Sequence, residues 1–168
     1  MVNNKKIRNA TICKTGNITF KSRLEKSIYN TLQQLGFNPQ YEPETFVLWD
    51  SFIPITPFYD KESDTQQKRR IENGDTNKSK SLVLKTGKIV GIRYTPDFYF
   101  KYKDINIYIE AKGVENDVFY IKKKLFIKYL DDMYIKNKEK SMYFEVYSNK
   151  QMLQAINIIK EYAENQNK

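Results

Sequence analysis

The chain has 168 residues and no histidine, and its 29 Lys and Arg against 20 Asp and Glu give a formal net charge of +9. Without an imidazole, the chain cannot form a histidine triad, a histidine metal site or a histidine proton relay. A single cysteine, Cys13, excludes an intrachain disulfide and a cysteine zinc site. The length suits one domain. The positive charge indicates a polyanionic partner, nucleic acid first, with an anionic membrane surface or a ribosome-like assembly as alternatives.

The N-terminal segment predicts no export and no membrane anchor. It begins Met-Val-Asn-Asn-Lys-Lys without an apolar stretch behind it, and no apolar run approaches the roughly 20 residues that cross a bilayer. We therefore expect an intracellular, cytoplasmic protein without a membrane partner. Residues 1–20 carry basic but no acidic side chains, which predicts a basic N-terminal arm, mobile at its start, ahead of a domain at 21–168.

The first regular elements are predicted from residue 22 onward. Ser22 is expected to cap a helix of three to four turns that ends at Gly36. Its apolar face is predicted to comprise Leu24, Ile28, Leu32 and Leu35. The run 45–49 favours a strand because it is rich in β-forming residues. Residues 50–81 lose all periodicity and collect prolines and polar side chains, which predicts a basic insertion or long loop.

Two hairpins are predicted next. Residues 81–84 and 88–94 flank Lys85-Thr86-Gly87 and indicate a short hairpin. Residues 96–102 and 105–111 are two alternating runs joined by Lys103-Asp104, which predicts a second hairpin with a two-residue turn.

The C-terminal third predicts helix, strand and helix. Asn116 or Asp117 is expected to cap a basic helix that ends near Tyr134. Its predicted apolar stripe is Val118, Ile121, Leu125 and Tyr129. Residues 142–147 favour a strand, and Asn149 is expected to cap a last helix. The apolar side of that helix is predicted to comprise Met152, Leu153, Ile156, Ile159 and Tyr162.

The second hairpin carries the candidate chemistry. If Tyr102 faces Ile105 across the turn, Phe98 faces Ile109 and Asp97 faces Glu110. Alternation then gives the hairpin an apolar face for packing on helices and a second face with polar side chains. That second face is predicted to carry Asp97, Tyr99, Lys101, Asn106, Tyr108, Glu110 and Lys112.

Two carboxylates directly opposite each other repel unless a positive group lies between them. Mg²⁺ or Mn²⁺ is the natural candidate, held by Asp97 and Glu110 and completed by the backbone carbonyl of Ala111. Lys112 could then orient or deprotonate a water nucleophile, or offset charge on a phosphate. The alternative is structural: Asp97 merely begins a strand, while Glu110 and Lys112 form a solvated pair.

The segments Tyr94–Phe100 and Ile107–Gly113 resemble the signature of the PD-(D/E)xK nuclease superfamily. That resemblance implies a single restriction-endonuclease-like α/β domain, with a mixed central β-sheet flanked by helices and the core order αβββαβ. Short phage and mobile-element endonucleases, including Holliday-junction resolvases of the phage endonuclease I type, are the most similar in size and layout. The resemblance implies a Mg²⁺- or Mn²⁺-dependent endodeoxyribonuclease that uses Asp97, Glu110 and Lys112. It further implies branched DNA as substrate, a homodimer and, if the protein is phage-encoded, a bacterial host cell.

The resemblance also assigns a role to Glu25, since the first helix of such nucleases contributes a further glutamate to the metal site. The rival explanation is a capping box in which Glu25 bonds back to the Ser22 amide. The helix after the signature borders DNA in similar nucleases, so its lysines join the expected DNA contacts. These contacts are Arg23, Arg69, Arg70, Arg93, Lys122, Lys123 and Lys124.

Two alternatives remain at this stage. One is a sequence-specific or transposon-type nuclease on the same core. The other is a non-catalytic nucleic-acid-binding protein that keeps a nuclease-like fold, although such a protein would be expected to have lost one of Asp97, Glu110 and Lys112.

Overall fold

The computed structural model describes residues 11–113 and 117–165, and these have a mixed α/β architecture with four helices and several small sheets. The fold divides into two compact units, which are described separately. Unit 1 falls within Met1–Leu48 and Arg93–Lys168, and unit 2 is Trp49–Ile92. Among the described residues, no helix is both long enough and apolar enough to span a bilayer.

The elements of unit 1 surround one four-stranded sheet. The helices are α1 (Arg23–Gln34), α3 (Asp117–Asn137) and α4 (Asn149–Asn165). The strands are β1 (Cys13–Thr15), β2 (Ile18–Phe20), β3 (Gln40–Tyr41), β8 (Phe98–Tyr102), β9 (Ile105–Ala111) and β10 (Lys140–Val146). Unit 2 contains β5 (Phe58–Lys61), α2 (Asp64–Glu72) and β6 (Leu82–Lys85). A separate two-stranded sheet is formed by β4 (Phe46–Trp49) and β7 (Ile92–Tyr94).

The N-terminal segment contains a hairpin that the sequence did not predict. β1 and β2 pair antiparallel around a turn in which Gly16 has a φ of 55°, a left-handed conformation that favours glycine. The predicted basic arm of residues 1–20 is thus β-structured from Cys13 to Phe20. Its first ten residues lie outside the described ones.

The central sheet has the strand order β10-β9-β8-β3. The predicted register of its hairpin is confirmed, because Tyr102 pairs with Ile105 and Phe98 pairs with Ile109. β10 runs parallel to β9 and β3 runs antiparallel to β8. One face of the sheet packs on α1 and α4 through a large apolar cluster, and the other packs on α3 through a cluster rich in aromatic rings.

Helix α1 forms where it was expected. The Ser22 hydroxyl accepts the Glu25 amide at 3.1 Å, and Gly36, with a φ of 81°, ends the helix as its amide donates to the Gln33 carbonyl at 3.0 Å. Its buried face differs from the predicted one: Leu35 is 43% exposed, while Tyr29 is buried.

The predicted stripe of α3 is partly wrong, although Leu125 is half-buried and Tyr129 packs against the aromatic cluster. Val118 and Ile121 are exposed, and the helix buries Phe119, Phe126 and Leu130 instead. Two apolar stripes with helical spacing could pack against the sheet. The stripe that carries the aromatic rings does so, because those rings bury more apolar area. The helix begins at Asp117, whereas the alternative cap, Asn116, lies outside the described residues.

Helix α4 shows a smaller shift of its buried face. Met152, Ile156 and Ile159 are buried as predicted, but Leu153 and Tyr162 are exposed. Ala155 and Ala163 are buried in their place.

Unit 2 corrects the prediction of a loop at residues 50–81. β5 and β6 pair antiparallel, and α2 between them begins with a capping box in which Ser63 and Gln66 bond each other's amides. The predicted hairpin of 81–84 with 88–94 is wrong, because β6 pairs with β5 and β7 pairs with β4. The pairing that forms joins segments about twenty residues apart, and no local turn signal announces it.

Candidate active site

Asp97 and Glu110 come to one end of the central sheet, where β8 begins and β9 ends. The Ala111 amide donates to Asp97 Oδ2 at 2.8 Å, which ties the carboxylate of one strand to the backbone of the next. The carbonyl of Asp97 accepts the amide of Glu42 at 2.8 Å. Both the side chain and the backbone of Asp97 are therefore fixed by neighbouring strands.

Glu110 is 7% exposed, and both its carboxylate oxygens have donors. Lys112 Nζ donates to Oε1 at 3.0 Å, and the Tyr94 hydroxyl donates to Oε2 at 2.7 Å. The Tyr94 hydroxyl also lies 3.1 Å from that of Tyr143. A buried carboxylate needs such charge-assisted bonds, because it has lost most of its hydration.

Negative charge accumulates around Asp97. Burial raises the pKa of Asp97 well above its usual range, and the nearby charge of Glu110 adds to the effect, while the bond from the Ala111 amide opposes it. The charges of Glu25 and Glu42 raise the pKa of Asp97 further. The charges of three carboxylates thus act on Asp97, and we call these four residues the acidic cluster, which a bound cation would stabilise.

The predicted capping bond from the Glu25 carboxylate to the Ser22 amide does not form. The Glu25 amide bonds to the Ser22 hydroxyl, which is the first half of the predicted capping box. Its carboxylate does not return to Ser22: Oε2 accepts the amide of Lys21 at 2.9 Å and the hydroxyl of Tyr41 at 2.6 Å. With 6% exposure, Glu25 is held at the start of α1 as part of the acidic cluster around Asp97.

Lys112 is held from two sides. Its Nζ bonds to Glu110, as above, and lies 3.6 Å from the centroid of the Phe119 ring on α3, which is a close cation–π contact. The backbone is fixed as well, since the Lys112 amide donates to the Val146 carbonyl at 2.8 Å. Sequence reasoning found Lys112 but missed the aromatic ring that positions it.

A further ion pair lies beside Glu110. Glu145 stands opposite Glu110 in the parallel register of β9 and β10, and it accepts a bond from Lys123 Nζ at 2.7 Å. The alternation of polar and apolar residues in β10 would have been enough to predict that Tyr143 and Glu145 share one face of the sheet. Their position beside Glu110 depends on the parallel register, which no local sequence signal specifies.

The donor set fits a hard divalent cation. Asp97 and Glu110 offer oxygen atoms, which are the ligands that Mg²⁺ and Mn²⁺ prefer, and one or two carboxylates suffice when waters and a phosphate complete the shell. Across residues 11–113 and 117–165, no three acidic or thiol side chains converge as a ready cage.

The residues predicted to contact DNA are scattered over both units. In unit 1, Arg23 and Arg93 are exposed, as is Lys124, while Lys122 and Lys123 are half-buried on α3. In unit 2, Arg69 is exposed on α2.

Arg70 differs from the other predicted contacts. It bonds to Glu62 at 2.7 Å and to Asp75 within hydrogen-bond distance, so its charge is committed within unit 2. Arg70 thus stabilises the junction of α2 with the segments around it.

No protein-family model, curated protein or solved structure matches this chain. The candidate active site is therefore defined by its own geometry, in which two carboxylates and a positioned lysine meet at one end of a mixed sheet.

Proposed function

We propose that the protein is a Mg²⁺- or Mn²⁺-dependent endodeoxyribonuclease with a restriction-endonuclease-like core. The observation that supports it most is the grouping of Asp97, Glu110 and Lys112. The Ala111–Asp97 bond joins the two strands, and the Lys112–Glu110 bond sets the lysine beside the carboxylates. Hydrolysis of a phosphodiester at such a site needs no histidine, and the chain has none.

Each side chain has a defined task in this proposal. Asp97 and Glu110 would hold the cation, which when bound lowers the pKa of a water molecule and offsets charge on the phosphate. Lys112 orients the water or stabilises charge on the phosphate, and Phe119 restricts where its ammonium can go. Glu25 supports the acidic cluster from α1. The water oxygen bonds to phosphorus, one ester bond breaks, and a water proton ends on the leaving alkoxide.

Branched DNA such as a four-way junction is the proposed substrate, cut by a homodimer that supplies one site for each of two strands. Two considerations support it: the resemblance of the signature segments, and a net charge of +9 that suits a polyanion. On α3, Lys122 and Lys124 are the proposed backbone contacts near the signature, because each makes no ion pair with a described residue.

The decisive experiment measures cleavage of labelled four-way junction, flap, duplex and single-stranded DNA with Mg²⁺, Mn²⁺ or EDTA. We expect cleavage that EDTA abolishes and that Glu110→Gln and Lys112→Met each lower by at least about 10²-fold. Glu161→Gln and Lys160→Met, which make the same changes on exposed residues of α4, serve as matched controls. The proposal fails if the wild type is inert on every substrate, or if site variants and controls cleave alike.

A binding measurement separates the remaining alternatives. A non-catalytic binder would hold DNA without cutting it, and a sequence-specific nuclease would prefer linear duplex when a junction competes.

The salt dependence of DNA binding tests the proposed phosphate contacts. Lys122→Met and Lys124→Met should each reduce the slope of the logarithm of the binding constant against the logarithm of the salt concentration by about 0.9 for duplex DNA. An unchanged slope would exclude those two lysines from the interface.

A further inference from the structure

A second concave site lies in unit 1, on the α3 face of the sheet. It is a cavity of about 210 Å³ between α3, the middle of β9 and the beginning of β10. The side chains that matter for its chemistry are Phe46, Tyr108, Tyr129, Met133, Glu44 and Glu139. Tyr108 precedes Glu110 by two residues on β9, so the cavity belongs to the same face as the candidate active site but to other side chains.

Aromatic rings form the walls of this cavity. The centroid of Phe46 lies 5.7 Å from that of Tyr108, with the rings nearly perpendicular, and 5.3 Å from that of Tyr129. Tyr108 is also braced by Phe126 at 5.3 Å. Electron-rich ring faces attract cations, and they do so most strongly when the cation carries a weakly hydrated organic surface.

Two carboxylates stand at the same cavity. Neither Glu44 nor Glu139 forms an ion pair with any described residue, and no lysine or arginine lines the cavity, although the chain carries a charge of +9. Burial raises the pKa of the Tyr129 hydroxyl, and the charges of Glu44 and Glu139 raise it further. The cavity therefore combines ring faces with unneutralised negative charge.

The Tyr108 hydroxyl offers a further polar contact for a ligand at this cavity. The residue is 9% exposed, yet its hydroxyl makes no hydrogen bond to any side chain or backbone group in the part of the chain that the structure describes. Burial raises the pKa of this hydroxyl, and the nearby Tyr99 and the charge of Glu44 raise it further. An N–H donor on a ligand could bond to this hydroxyl.

We propose that this cavity binds an alkylammonium ion, a small free amine in its protonated form. The carboxylates would offset the charge, the rings would contact the methylene or methyl groups, and the Tyr108 hydroxyl would accept an ammonium proton. The thioether of Met133 and the aromatic walls suit an organic cation, whereas a hard metal ion needs a shell of oxygen ligands. This site is independent of the proposed nuclease activity.

The test is a titration of the full chain with small molecules. Binding is measured by isothermal titration calorimetry and by the NMR chemical shifts of the tyrosine rings. The probes are tetramethylammonium chloride, protonated 1,4-diaminobutane, the neutral analogue 2,2-dimethylpropan-1-ol, which has a similar bulk, and sodium chloride at matched ionic strength. We expect both cations to saturate one site, with the neutral analogue at least about ten-fold weaker. If neither cation saturates, or if the neutral analogue binds as well as the cations, the proposal is overturned.

Variants separate the contributions of charge, ring and hydroxyl. Glu44→Gln and Tyr129→Leu should each lower the affinity for both cations at least about ten-fold. Tyr108→Phe should weaken only the diamine, because tetramethylammonium has no N–H to donate. Glu161→Gln, a matched change on α4 across the sheet, should bind like the wild type. Glu44 is exposed, so its variant folds without loss of packing, and unchanged affinity there would refute the site.

Discussion

Removing the Tyr94 hydroxyl measures how strongly the buried Glu110 carboxylate depends on its neutral donor. Tyr94 is 5% exposed, and its hydroxyl bonds to Glu110 Oε2 at 2.7 Å. A hydrogen bond to a charged group contributes about 1.5–3 kcal/mol, and Tyr94→Phe deletes it without changing the ring. We expect that loss in the free energy of unfolding, equivalent to about 3–12 °C in Tm for a chain of this size.

The assay is urea unfolding followed by far-UV circular dichroism in EDTA. Tyr99→Phe is the matched control, since its hydroxyl donates to the neutral Asn106 amide oxygen at 3.0 Å and should lose only about 0.5–1.5 kcal/mol. When Glu110 is already replaced by Gln, Tyr94→Phe should lower the free energy of unfolding by only about 0.5–1.5 kcal/mol, because the charge is gone. If Tyr94→Phe costs no more than Tyr99→Phe in the wild-type background, Glu110 is not held by a charged hydrogen bond.

Two further predictions concern unit 2. A Cβ on Gly91 would lie 2.2 Å from the Trp49 carbonyl, so Gly91→Ala should shift the urea midpoint of Trp49 fluorescence downward. Gly87→Ala, where nothing lies within 4 Å, should leave it unchanged. Hydrogen bonding by Arg70 lowers the pKa of Glu62 in the folded state, so its stabilisation is present at neutral pH and is lost on acidification below the ordinary glutamate pKa. Glu62→Gln should flatten that acid dependence of stability, and an unaltered profile would contradict it.

The hairpin of β8 and β9 was predictable because its signals are local. Alternation defines two faces, and the two-residue connection at Lys103-Asp104 fixes the register, so Asp97 and Glu110 could be matched by counting. Lys103 adopts a φ of 53°, as such a tight turn requires. The placement of Asp97 and Glu110 at one end of the sheet follows from this register.

The parts that escaped prediction depend on distant partners. β6 pairs with β5 across α2, and β10 lies parallel to β9 across α3, so neither register leaves a turn signal in the sequence. The stripe of α3 was misjudged because two apolar stripes fit the helical period, and only packing against the sheet selects between them. Phe119 and Glu145 were missed for these reasons, although both stand beside the candidate site.

The capping box considered for Glu25 is incomplete, because its carboxylate does not reach the Ser22 amide and only the Ser22 hydroxyl caps the helix. The cap needs only the Glu25 amide, which any residue would supply to the Ser22 hydroxyl. The carboxylate is occupied elsewhere, by the Lys21 amide and the Tyr41 hydroxyl, and its charge acts on Asp97. Helix capping therefore gives no reason for a buried acid at this position. Keeping a charged group 6% exposed is unfavourable unless it is hydrogen-bonded, and the Lys21 amide and the Tyr41 hydroxyl supply those bonds to Glu25.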